Sequence, residues 1–186
     1  MSQEEEYKES RLVERLHDAK TQQAAFSELV KEYSEPLYWQ IRKIVLSHDD
    51  SNDVLQNTFI KVWTSIDSFR GDSKLSTWLY RIAVNEAITF LNKQRSQNNI
   101  SVDDADMFLL GKLESDEYFD GDEAQLKLQK AILTLPEKQR IVFNMKYFDE
   151  MKYEDMSDIL DTSVGALKAS YHHAVKKIEE FLSKEN

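Results

Sequence analysis

Apolar residues recur at Phe26, Leu29, Val30, Tyr33, Leu37, Ile41, Ile44 and Val45, the three-and-four spacing that lays one stripe along a helix. Residues 23–46 therefore read as a long helix or a helical pair, with Pro36 expected to kink or restart it, since proline lacks a backbone donor and crowds the preceding turn. Asp and Ser in "SHDDSND" offer N-caps ahead of a second stripe, Val54, Leu55, Thr58, Phe59, Val62 and Trp63, in a helix beginning near Asn52. "DSFRGDSK" breaks the pattern with turn residues. Helical spacing then resumes through Leu75, Trp78, Leu79, Ile82, Ala83, Ala87, Phe90 and Leu91. Three packed helices are expected to form a first lobe.

Further on, "EAQLKLQKAILTL" is amphipathic, and Pro136 with Glu137 behind it suits the start of another helix. A helix over Tyr153 to Leu160, a turn at Asp161 and Thr162, and a longer helix capped by Ser163 complete a second lobe. With four Gly and two Pro in 186 residues, and no β-alternation to explain, the fold class is all-α: two small helical domains, the second with a helix-turn-helix.

The formal net charge of -10 is unevenly spread. Residues 1–22, a charged N-terminal extension, sum to -2; residues 23–95 and 124–186 each sum to zero; residues 96–123 carry nine acids and one base. That last stretch lacks sustained periodicity and reads as an acidic flexible linker or weakly ordered arm between the lobes. There is no cysteine, and the four histidines are scattered apart from the adjacent His172 and His173, so no metal or other cofactor is expected. No apolar run reaches the roughly 18 residues of a membrane span, which predicts a cytoplasmic protein with no membrane insertion of its own. Neither a Gly-rich phosphate loop nor a nucleophile–base pair stands out, so no catalytic activity is expected.

On the last helix, Val164, Leu167, Tyr171, Ala174, Val175, Ile178 and Leu182 share one face, leaving Gly165, Ala166, Lys168, Ala169, His172, His173 and Lys176 outside. A recognition helix needs this arrangement: it enters a major groove about 12 Å wide, and small residues allow close approach to base edges. A plain helical hairpin is the alternative. The short turn and the lysines Lys168, Lys176 and Lys177 shift the balance toward DNA.

Two blocks carry a family resemblance. "DVLQNTFIKVWTSIDSFRGDSKLSTWLYRIAVNEAITFLNKQR" resembles region 2 of bacterial sigma factors of the extracytoplasmic-function (ECF) group of the sigma-70 family, and "LTLPEKQRIVFNMKYFDEMKYEDMSDILDTSVGALKASYHHAVKKIEEFL" resembles their region 4. The resemblance spans roughly residues 23 to 183, in the family's order and spacing. It implies a dissociable subunit of RNA polymerase that binds core polymerase and promoter DNA, the first lobe on the -10 element and the second on the -35 element.

Within that frame "FRGDSKLSTW" resembles a loop that captures a flipped non-template base, with Ser73, Lys74, Ser76 and Thr77 as its polar groups. Extruding a base costs a few kcal/mol, which such a pocket must offset. Asn85 is the chief -10 reader, since an amide both donates to and accepts from a base edge. Arg81, Lys93 and Arg95 are phosphate contacts. Trp63 and Trp78 could stack on bases, but their phase with Phe59, Val62, Leu79 and Ile82 favours core packing. Asp53, Gln56, Asn57, Ile60 and Lys61 resemble the face that docks on the clamp helices of polymerase, with Asn57 where the family usually has Glu.

On the second lobe the -35 candidates are Ser163, Gly165, Ala166, Lys168, Ala169, Ser170, His172, His173 and Lys176. Ser170 and His173 stand where relatives commonly carry Arg, and Asp161 replaces a usual turn Gly, a left-handed position that Asp tolerates. The linker acids Asp103, Asp104, Asp106, Glu114, Asp116 and Glu117 would mimic nucleic acid in the channel of polymerase, or simply solvate a spacer. The family also implies an anti-sigma partner, one linked to the membrane. The competing readings are a stand-alone helix-turn-helix regulator and a helical adaptor of polymerase.

Overall fold

The computed structural model describes residues 3–98, 105–114 and 123–184. Among these every regular element is helical: α1 (Gln3–His17), α2 (Gln22–Val45), α3 (His48–Ser65), a 3-10 turn (Ile66–Ser68), α4 (Leu75–Gln97), α5 (Ala105–Glu114), α6 (Glu123–Leu133), α7 (Glu137–Tyr147), α8 (Tyr153–Leu160) and α9 (Val164–Lys184).

The stripe beginning at Phe26 forms a single helix, α2, rather than a pair. Pro36 lies inside it on the exposed side, so the carbonyl deprived of a donor, that of Glu32, faces water. Leu29, Leu37, Ile41 and Ile44 on its opposite side are buried against α3 and α4. Helix α3 starts at His48, four residues before the expected Asn52, because Ser47 accepts from the Asp50 backbone N–H at 3.3 Å and caps it.

The first lobe holds four helices, not three. Leu12 and Leu16 of α1 are buried in its core, so the charged extension is a packed amphipathic helix. Few apolar positions and many charges hid that stripe. Inside the acidic 96–123 stretch, α5 buries Leu109 completely, and its Lys112 reaches Asp50 of α3 and Gln94 of α4. Ten residues give too short a run to display a period. The linker acids Asp103, Asp104, Asp116 and Glu117, and the side chains of Asp106 and Glu114, lie outside the described residues.

In the second lobe α6, α7 and α9 enclose Ile132, Leu135, Phe143, Ala174 and Ile178, and α8 packs on α9. The two lobes also meet. Ile141, Val142 and Met145 of α7 and Met156 and Ile159 of α8 belong to one apolar cluster with the first-lobe core, through contacts of α2 with α7 and of α4 with α8.

Candidate nucleic-acid interface

Helix α8 ends where its sequence must turn: Asp161 adopts the left-handed conformation (φ 49°, ψ 47°), and its N–H donates to the Ser157 carbonyl. Ser163 then accepts from the Ala166 N–H at 3.3 Å, starting α9. The apolar face of α9 is directed inward as its spacing requires, with Leu167, Ala174 and Ile178 buried. Ser163, Gly165, Ala166, Lys168, Ala169, His172, His173 and Lys176 are all exposed, and Ser170 is half-buried. Lys168 lies 5.7 Å above the Tyr153 ring, while Lys176 stands 3.9 Å from Glu180 one turn on. The two imidazoles, His172 and His173, are neighbours 5.9 Å apart.

In the first lobe the break after α3 turns at Gly71, whose φ of 76° suits glycine. Phe69 folds under the loop, buried against the half-buried Trp78 at 5.1 Å. Trp78 is therefore a packing residue. Trp63 packs edge-on against Phe26 at 4.8 Å but is 41% exposed. Beyond the loop, Arg81, Asn85 and Lys93 of α4 are exposed on a polar side of the helix. All five residues of the polymerase-facing set on α3, Asp53, Gln56, Asn57, Ile60 and Lys61, are exposed, Ile60 by 56%.

The remaining -10 candidates sit differently. Thr77 is 7% exposed, and Ser73 and Ser76 are half-buried. Lys74 pairs with Asp155 of α8 at 3.3 Å, and Arg95 pairs with Glu137 of α7 at 2.8 Å. Lys43 of α2 pairs with Asp149 in the same sense, and its carbonyl accepts from the Asn144 amide at 3.2 Å. A cleft of about 430 Å³ separates the loop before α4 from the turn of the helix-turn-helix, with Ser73, Thr77 and Arg81 on one wall and Asp158, Asp161 and Ser163 on the other. Tyr80 lines a smaller cavity of about 100 Å³ next to it, and burial, with Asp149 nearby, pushes its phenol above the usual range. Sequence reasoning missed the acids that meet these cations, because each pair joins residues 42 to 106 apart in the chain. No local pattern announces such a pairing.

A capped helix-turn-helix with an uncovered face of small and basic residues, joined to a second helical lobe with a polar stripe, defines a two-lobed DNA-binding protein. Residues 29–97 match the family model for Sigma-70 region 2, and residues 125–178 match that for Sigma-70, region 4. The ECF RNA polymerase sigma-E factor of Haemophilus influenzae is 32% identical over 183 residues, covering 94% of this chain and 95% of that one. RNA polymerase sigma-H factor of Pseudomonas aeruginosa is 30% identical, covering 94% and 93%. The chain belongs to the ECF sigma factors, and it directs promoter recognition and transcription initiation as a sigma subunit. Its fold is similar to that of CnrH, solved in complex with the cytosolic domain of CnrY (TM-score 0.68, 21% identity, 96% of this chain and 99% of that one). It is also similar to the sigma factor RpoE solved with the anti-sigma factor NepR from Bartonella quintana (TM-score 0.64, 21% identity, 87% and 98%).

Proposed function

We infer that the first lobe reads the -10 element with Asn85 as its principal base contact, and that the Ser73–Thr77 loop holds an extruded base. Arg81, Lys93 and Arg95 position the strand through phosphates. The second lobe places the N-terminal turns of α9 in the major groove of the -35 element, with Gly165, Ala166 and Ala169 allowing close approach and Lys168 and Lys176 on the backbone. The uncovered face of α3 docks on polymerase.

The observation that carries this reading is the bare face of α9. Gly165, Ala166 and Ala169 are exposed, although packing alone would not call for three small residues there. The protein performs no chemistry of its own: binding unpaired bases lowers the cost of melting, and polymerase does the rest. It works in the cytoplasm; among the described residues no helix is long and apolar enough to cross a membrane. An anti-sigma polypeptide restrains it; the sigma factor RpoE, similar in fold, was solved with the anti-sigma factor NepR.

The test is transcription of a sheared genomic DNA library by core polymerase with and without the protein, mapping transcript 5′ ends. Discrete starts that require the protein, preceded by a shared pair of upstream elements, are the expected result. Tight DNA binding by the protein alone with no new starts would instead identify a stand-alone regulator.

A further inference from the structure

Among the described residues, three ion pairs between the lobes run in one direction: the first lobe gives the base and the second gives the acid. They are Lys43–Asp149, Lys74–Asp155 and Arg95–Glu137. Two of those three bases, Lys74 and Arg95, are residues assigned above to DNA. Their partners sit in the first turns of α8 and α7. The cleft repeats the pattern, with Arg81 on its first-lobe wall and Asp158 and Asp161 on the other.

We propose that the carboxylates of α7 and α8 stand in for promoter phosphates on the first lobe, so that the chain masks its own -10 surface until the lobes separate. This rests on the reading of Arg95 as a phosphate contact and of Lys74 as part of the base-holding loop, and it adds a phosphate contact for Lys74. A carboxylate and a phosphate oxygen present the same kind of charge-assisted acceptor to a lysine or arginine, so one excludes the other from the same cation. Ser76 and Thr77 of the same loop line a small cavity together with Asp155 and Ile159 of α8, so the second lobe stands against the loop's polar groups. The buried contacts of Met156 and Ile159 add cohesion that salt does not screen.

The experiment uses the full chain and a thirty-nucleotide oligothymidylate, which reports phosphate contacts without requiring the promoter. Asp155→Asn with Glu137→Gln frees two cations. The dissociation constant at low salt should fall about tenfold, and the plot of log K against log salt should steepen by about 1.4, near 0.7 per phosphate contact on a single strand. Scattering should show a larger radius of gyration. Glu14→Gln with Glu179→Gln, exposed acids outside the interlobe pairs, makes the same change in net charge and should do neither. Because the chain has no cysteine, Asp72→Cys and Ser157→Cys, on opposite walls of the cleft, can be joined by a disulfide-cored bis-maleimide in the freed variant. Joining should abolish the gain, and reductant should restore it. An equal gain in the charge-matched control, or a gain that survives joining, overturns the proposal. A freed variant that expands yet binds no better would instead overturn the assignment of Lys74 and Arg95 to phosphate, whereas one that neither expands nor binds would overturn the masking itself.

Discussion

The backbone N–H of Leu75, the first residue of α4, donates to the Glu9 carboxylate of α1 at 2.8 Å. Lys74, at the N-cap of α4, makes no side-chain cap bond, so Glu9 does from 66 residues upstream what a Ser or Asp N-cap does locally. The charged extension thus holds the start of the helix that follows the Gly71 loop. Glu9→Ala should destabilise the protein by about 1 kcal/mol in urea unfolding. Amide exchange at residues 75–77 should quicken more than elsewhere. Glu9→Gln, which keeps an acceptor but loses the charge, should fall between.

Tyr33 of α2 faces the same neighbourhood, and burial first, with Glu9 and Glu32 adding repulsion, pushes its phenol up to about 12 from an ordinary value of 10. A raised folded-state value means the folded chain holds this proton more tightly than the unfolded one. The stability it contributes is fully present below pH 10 and is lost as pH rises toward 12. Denaturant midpoints measured from pH 9 to 12 should therefore fall, and Tyr33→Phe should flatten that fall. An unchanged slope in the variant would place the alkaline loss elsewhere.

Much of this fold was legible because helical periodicity is a local property. The limits of α8, the turn at Asp161 and the Ser163 cap follow from consecutive residues, as does the inward face of α9. What was not legible is tertiary. Leu12 and Leu16 become core residues only because α2 offers a groove for α1, and Lys112 gains its partners on α3 and α4 only once α5 folds back. The same holds for the candidate site: exposure of Asn85 and of the α9 face could be inferred from helical phase, but the pairing of Lys74 and Arg95 with carboxylates of the other lobe could not.

Asp161 occupies the left-handed position with φ 49°, a conformation that costs a side chain with a Cβ energy glycine does not lose. Asp161→Gly should stabilise the second lobe by less than about 1 kcal/mol, the gain being offset by unfolded-state entropy. Asp161→Val, β-branched in the same place, should destabilise it by about 1–2 kcal/mol. Thermal unfolding of the two variants checks the ordering, and a valine variant as stable as the parent would mean the turn relaxes to another geometry.

Asn85 is exposed on α4 one turn beyond Arg81, so its amide is free for a base edge without any rearrangement of the core. Asn85→Ala should leave folding within about 0.5 kcal/mol, as for an ordinary surface position. Discrimination at one -10 position should drop by about 1–3 kcal/mol, or roughly five- to 150-fold, when transcript yields are compared across single-base promoter variants. Affinity for core polymerase should not change. Equal loss of both would assign Asn85 to the polymerase surface.

His173 sits exposed on α9, and its resemblance-implied place is one where relatives commonly carry Arg. A guanidinium is always charged and forks onto a phosphate through paired donors, which an imidazole cannot match. His173→Arg should therefore add one phosphate contact to the second lobe. For a duplex carrying the -35 element, the slope of log K against log salt should steepen by about 0.9, with tighter binding at low salt. The gain should be uniform across duplex sequences, because a phosphate contact positions the helix without reading a base. A gain confined to one sequence would show that residue 173 reaches a base edge, and that the native imidazole contributes to promoter choice directly.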